Sequence, residues 1–260
     1  MATTDPLFAF TAANAISAAS WEFVAFTGGG TTTPALGATV WGDTSDVNGV
    51  LEYVELTSGT WGAGTAAGFM LLSNVTTALG WTSGEDFTFN STTAANHGTF
   101  TALPVSAAAT LEVRNGVLVH KFDDTSNQVA IFPMPILHRN YDGGGITVSH
   151  KIEGAATTGD MSIHGFFKSI SDDADNLTVA GTDPSGLAVF AAPQVNAAID
   201  APSALGEVTY DEIPFTDGAQ IASLAVGEMG FYMLMRDAQD ATADDMAGDM
   251  WLHGIDGRET

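Results

Sequence analysis

Three groups of side chains in this sequence have the types that carry chemistry. The first is the histidines: His97, His120, His138, His150, His164 and His253. A metal centre needs ligands that converge and are oriented by hydrogen-bonding partners. No two of these stand at HxH or HxxxH spacing. His150 and His164 fall on neighbouring strand candidates and are placed to approach each other across a sheet; the plainer reading is half-buried sheet histidines. The second group is an acidic run, Asp237, Asp240, Asp244, Asp245 and Asp249. Oxygen-rich loops bind calcium when several carboxylates converge, so these five are the candidate cation ligands. The run lacks the glycine and terminal glutamate of an EF-hand, and Arg236 and solvent can neutralise it. It reads as a solvated loop, as does Asp172-Asp173-Ala174-Asp175-Asn176. The third is the carboxylates at large. No GxSxG elbow, phosphate-binding glycine loop or HExxH is present. Glycoside cleavage needs only two carboxylates at the right separation, and there are 31 Asp plus Glu. The sugar platform that normally accompanies it is not legible: Trp21, Trp41, Trp61, Trp81 and Trp251 are dispersed and read as packing residues. The expectation is no enzyme, no cofactor and no bound metal.

Charge narrows the partners. The formal net charge is −24, and all seven Lys and Arg lie at or beyond Arg114. Counterion release on nucleic acid needs clustered basic residues, and anionic membrane surfaces repel the same charge; neither is expected as a partner. Acidity of this degree keeps a protein soluble at high local concentration. Apolar residues make up 45% and charged residues 15%, which argues for a packed core rather than disorder. Cysteine is absent, so disulfides and thiolate chemistry are excluded. Met1-Ala2-Thr3-Thr4-Asp5-Pro6 shows no leader pattern, and no apolar run reaches the ~20 residues of a membrane span. Synthesis in the cytoplasm is expected. The Asn74, Asn90 and Asn176 sequons carry no weight in a threonine-rich chain.

The elements that must position these groups read as strands. Twenty-nine glycines separate short apolar runs, the pattern of a sandwich or barrel. The Ala-rich stretch Thr11 to Ser20 is the best helical candidate, and Asp237 to Ala247 reads as a loop. We divide the chain near residue 127. Residues 1–127 give a β-barrel or small β-sandwich module behind an extended N-terminal arm, with strands at 21–27, 50–57, 67–75, 85–90, 98–102 and 109–122. Asn115-Gly116 predicts a type I′ hairpin turn. Residues 128–260 give about eight strands, at 129–137, 146–152, 161–170, 187–191, 206–215, 219–224, 228–236 and 250–255, the size of a jelly-roll β-sandwich. Ile146, Val148, His150 and Ile152 share one face; Met161, Ile163 and Phe167 share another. In the 228–236 strand, Met229, Phe231, Met233 and Met235 alternate with Tyr232 and Leu234, and Trp251 points opposite Met250 and Leu252. A strand apolar on both faces is buried on both, so Tyr232, Leu234 and Trp251 are the candidate subunit-interface residues.

Several motifs occur in a familiar order: Met134-Pro135, Arg139-Asn140-Tyr141-Asp142-Gly143-Gly144-Gly145-Ile146, Thr158-Gly159-Asp160, Ile213-Pro214-Phe215-Thr216-Asp217-Gly218, Leu224-Ala225-Val226-Gly227-Glu228, and Arg236-Asp237-Ala238 running to Asp249. This half of the chain resembles a jelly-roll domain of tailed-phage virion proteins. Gly68 to Thr76, followed by Gly84-Glu85 and Phe87, resembles a β-module of capsid-decorating and tail proteins. The resemblance implies a trimeric capsid decoration or head-fibre protein on the particle surface, with itself and the major capsid protein or other virion proteins as partners. A receptor- or glycan-binding tail protein is the alternative, and a glycan-active enzyme the third.

Overall fold

The computed structural model describes residues 8–11, 21–90, 97–102, 105–134, 141–170 and 190–260. It is all-β. Among the described residues the chain forms two compact units, one from 21 to 107 and one from 8–11, 108–170 and 190–260. The first strand, β1 (Phe8–Thr11), belongs to the second of these.

The unit of residues 21–107 is a closed barrel. Its strands are β2 (Glu22–Gly29), β3 (Thr39–Gly42), β4 (Asn48–Ser58), β5 (Ala66–Ser73), β6 (Asp86–Phe89) and β7 (Gly98–Phe100), with β8 (Val105–Ser106) beside β2. The order β5-β4-β3-β6-β7-β2 closes because β2 also pairs with β5, and every ladder is antiparallel. Closure leaves these six strands without a free edge. Alternation fills the interior: Val24 and Phe26 from β2, Met70 and Leu72 from β5, Phe87 and Phe100 from β6 and β7. Phe26 stacks on Trp61 at 5.2 Å, and Phe87 on Phe100 at 4.8 Å. Gly68 is required where β5 crosses β4, since a Cβ there would lie 1.8 Å from the Glu55 carbonyl oxygen. The buried Glu85 carboxylate accepts hydrogen bonds from the Thr44, Ser45 and Thr82 backbone N–H groups and the Ser45 hydroxyl, pinning two barrel loops together.

The second unit is a jelly roll. After the β9–β10 hairpin (Thr110–Arg114, Val117–Phe122) come β11 (Gln128–Met134), β12 (Ile146–Gly154), β13 (Asp160–Ile170), β14 (Gln194–Asp200), β15 (Val208–Phe215), β16 (Met229–Arg236) and β17 (Met250–Glu259). One sheet runs β15-β12-β17-β10-β9 and the other β11-β16-β13-β14. Taking β10 to β17 as eight consecutive strands, the first, third, sixth and eighth form one sheet and the other four the second, which is the doubled Greek key of this fold. On the β10 side of β17, β10 pairs at Met250–Leu252 and β1 takes over at Gly254–Gly257. The core lies between the sheets: Phe122, Phe132, Ile146, Val148, Ile152, Met161, Ile163, Phe167, Phe215, Leu234 and Leu252 among others. As the sequence predicts, Asn115 (φ 49°) and Gly116 (φ 79°) make the two-residue hairpin turn.

Four expectations are corrected. The division at 127 falls too late: β9 and β10 pair with the C-terminal sheet, because β10 supplies a jelly-roll strand that β17 needs as a neighbour. Residues 219–224 hold a short 3-10 turn (Ala219–Ile221), where Ala222 and Ser223 take positive φ, so no strand runs there. A strand not anticipated, β14, occupies 194–200. His150 and His164 sit in different sheets. The helical candidate beyond Thr11, the 187–189 segment, His138 and the 172–176 acidic run lie outside the described residues.

Candidate functional site

The Asp-rich loop between β16 and β17 is built around Arg236, the last residue of β16, which has no exposed surface. Its guanidinium donates to Asp244 at 2.7 and 2.9 Å, to the Gly248 carbonyl at 3.0 Å and to the Phe122 and Met246 carbonyls at 3.4 Å. Asp244 also accepts the Ser162 N–H at 3.1 Å. Asp237, equally buried, accepts from the Asn127 side-chain Nδ2 at 2.8 Å, and the Asn127 side-chain Oδ1 accepts the Gln239 N–H at 3.1 Å. The His164 ring lies 3.6 Å from Asp237. Burial pushes the Asp237 carboxyl up and pulls His164 down to about 4, the charged form of each being poorly solvated. Asp240 accepts from the Thr242 N–H and hydroxyl, which lowers its pKa; Asp245 accepts the Asp160 N–H, and Asp249 pairs with Lys121 at 2.8 Å. The five carboxylates therefore face five different partners and do not converge as a set. Asp249 does approach Asp123 and Asp124 closely enough for three oxygens to meet. Each of these is engaged: Asp123 by Thr125, Asp124 by the Gly248 N–H, Asp249 by Lys121.

A second polar chain crosses the jelly-roll core. His150 of β12 is fully buried; its Nε2 lies 2.7 Å from the Tyr232 hydroxyl of β16, and its Nδ1 3.6 Å from Asp211 of β15. The Asn196 amide of β14 donates to Asp211 at 2.5 Å. Burial raises the Tyr232 phenol well above its usual range. His150 and Tyr232 have no exposed surface, and their bond links β12 to β16 across the core, as the Asn196–Asp211 bond links β14 to β15.

The interface candidates are placed differently from expectation. Tyr232 and Leu234 have no exposed surface and belong to the sandwich core, while Met233 and Met235, on the opposite face of β16, are equally buried. The alternation was right and its phase inverted, because the strand is apolar on both faces and its one charged residue, the buried Arg236, alternates in phase with the core face. Trp251 does point to the outer face, but it is covered from within the chain. The Arg114 guanidinium lies 3.7 Å over its ring, and its indole N–H donates to Glu112 at 3.0 Å. Glu153 holds that Arg114 bidentately and accepts from His253, and the arginine depresses its pKa against the effect of burial. Lys151 pairs with Asp256, and Arg258 with Glu212, on the same outer face. Most of the described basic residues are thus spent on internal pairs, leaving the acidic excess uncompensated.

A cavity of about 470 Å³ opens at one end of the jelly roll, lined by Tyr141, Asp142, Asp217, Ser223, Leu224 and Val226 among others. Its aromatic is not presented to a ligand: Tyr141 is 4% exposed, and its hydroxyl donates to the Gly144 carbonyl. Burial and the charges of Asp217, Glu259 and Asp142 push this phenol up to about 12. Of the tryptophans, Trp61 and Trp81 pack in the barrel core. The Arg236 brace and the His150–Tyr232 link were not legible in the sequence beyond one hint, a lone arginine directly before an acidic run.

No protein-family model and no curated protein matches the sequence. Among solved structures, the fold is similar to the tandem CBM22-1–CBM22-2 domains of Paenibacillus barcinonensis Xyn10C, at 11% identity over 97% of this chain and 82% of that one, with a TM-score of 0.33. It is also similar to the VP2 subviral particle of infectious bursal disease virus, at 9% identity over 92% of this chain and 56% of that one, with a TM-score of 0.24. At these values neither likeness bears on what the chain does; what the chain's own strand order defines is an all-β protein with a closed barrel and a jelly roll.

Proposed function

We propose that this is a non-enzymatic virion structural protein of the capsid decoration or head-fibre kind, displayed on the particle surface as a homotrimer and held there by the major capsid protein or another virion protein. The observation that carries this reading is the complete jelly-roll strand order, an architecture used by capsid and lectin domains, in a chain whose motif order resembles tailed-phage virion proteins. Two further features support it. Among the described residues, the carboxylates of the Asp-rich loop are each bonded within the chain, and the net charge of −24 suits crowded display, where like-charged subunits stay soluble. The proposed mechanism is mechanical: apolar burial between subunits and shell spreads load over capsomer joints.

The test is gold labelling of intact particles with antibody raised against the chain, beside light scattering of the purified protein at micromolar concentration. Label on the shell and a trimer mass are expected. Particles that carry no label would overturn the virion assignment, and a monomer mass would overturn the trimer.

A further inference from the structure

The four sheet edges of the jelly roll are not equally defended. An open edge presents unpaired N–H and C=O groups, and proteins blunt it with proline, bulges or inward-pointing charge. At the edge of the second sheet, β11 carries Pro133. At its other edge, β14 is irregular in register against β13 and is bridged to β15 by the Asn196–Asp211 hydrogen bond. On the first sheet, β15 carries Pro214 and turns Asp211 to the face it shares with the core residues Ile213 and Phe215. The remaining edge is β9, Thr110-Leu111-Glu112-Val113-Arg114, with no proline, glycine or lysine, and no described strand pairs along its outer side.

The hairpin geometry decides which groups that edge offers. Arg114 and Val117 flank the two-residue turn and are paired across it, so they form a hydrogen-bonded pair, and pairs alternate from there. Leu111 and Val113 therefore aim their N–H and C=O outward. Their side chains stand 57% and 65% exposed. Glu112 and Arg114 share the other face of the strand.

We propose that this edge is a self-association surface, at which a second copy of the chain adds its own β9 antiparallel across a two-fold axis through Val113. In that register Val113 faces Val113 of the second copy in a hydrogen-bonded pair, and Glu112 of each chain faces Arg114 of the other, twice, at the closer non-hydrogen-bonded positions. Shifting the centre to Glu112 sets two like charges face to face. Arg114 is also held by Glu153 and Glu112 by the Trp251 indole within each chain, yet the strand remains complementary in charge to its own reverse, which selects a second copy over a strand of arbitrary sequence. The contact is two-fold, so in a trimeric protein it joins copies from different trimers, and it does not depend on the virion assignment.

The absence of cysteine makes the test clean. Facing Val113 positions have Cα atoms about 5.5 Å apart, within disulfide range, whereas the two Leu111 positions are about 14 Å apart by strand geometry. Val113→Cys in the full-length chain is expected to give a covalent dimer on mild oxidation, and Leu111→Cys is not. Val113→Lys, at an exposed site that leaves β9–β10 pairing intact, is expected to weaken the association at least tenfold by light scattering while keeping the β-sheet circular dichroism. No covalent dimer from Val113→Cys, equal yields from the two positions, or unchanged association in Val113→Lys would overturn the proposal.

Discussion

Arg236 is the side chain whose loss the jelly roll should tolerate least. Arg236→Ala removes five donated hydrogen bonds and leaves Asp244 a buried carboxylate without its cation. Breaking a buried pair from one side costs about 3–5 kcal/mol, because the surviving charge stays desolvated. For a chain of this size that is a fall in Tm of roughly 6–20 °C. The comparison is Arg258→Ala, which breaks a pair whose side chains are 41% and 48% exposed; solvent screening holds that cost to at most about 1 kcal/mol. Differential scanning calorimetry on both variants reads the contrast directly. The double variant Arg236→Met with Asp244→Leu removes both charges and is expected to recover part of the loss, since an apolar pair carries no desolvation penalty. Equal destabilisation by Arg236→Ala and Arg258→Ala, or a double variant worse than the single, would refute the argument that charge burial sets the cost.

Tyr232→Phe should cost about 1–2 kcal/mol, the penalty of stranding a buried histidine nitrogen, with no change in association state; an assembly defect in urea-independent light scattering would restore Tyr232 to an interface. Trp251→Ala should destabilise by about 2–4 kcal/mol through lost packing against Arg114, and its particle mass should stay that of the wild type. The His164 ring should titrate near 4 by NMR. Its folded value lies below the ordinary 6.5, so the unfolded chain binds the extra proton first. Stability then falls as pH drops from about 6.5 to about 4, by up to about 3 kcal/mol. The raised pKa of Asp237 acts with the opposite sign, and His164→Gln should remove the histidine's share alone; a His164 resonance titrating near 6.5 would contradict its burial.

What was legible in the sequence depended on how local the signal was. Asn115-Gly116 determines a hairpin by itself, and the 146–152 and 161–167 alternations assigned their core faces correctly, because each also carries polar residues on the opposite face. In the 229–236 strand the one charged residue, Arg236, is buried and alternates in phase with the core residues Tyr232 and Leu234, so it marks the wrong face as solvent-facing and the phase is inverted. The boundary at 127 followed a change in charge, yet what decides membership is the pairing of His120–Phe122 with Met250–Leu252, more than a hundred residues away. β14 was missed because Gln194-Val195-Asn196-Ala197-Ala198 lacks the apolar run that marks a strand. The acidic run reads as a solvated loop with five candidate cation ligands, and what the sequence does not show is which partner each carboxylate takes: Asp237, Asp245 and Asp249 meet Asn127, Asp160 and Lys121, residues that only the tertiary fold brings to them.

β17 is bordered by β12 along one side and by β10 and β1 along the other, and that arrangement bears on how the chain is made. On the ribosome, residues 21–107 hold every strand of the barrel and can close it while the rest is still being translated. The larger sheet has no such freedom. Until residues 250–259 emerge, β12 and β10 have no common neighbour, and β1 waits for a partner 243 to 249 residues downstream, in the ladder that pairs Thr11 with Gly254 and Phe8 with Gly257. Contacts of that span close slowly, and partly built sheets stick to one another. The nascent chain should therefore carry one finished module and one exposed half-sheet for most of its synthesis, so that yield in a foreign host will respond to chaperone supply and to growth temperature far more than the finished fold's stability would lead one to expect.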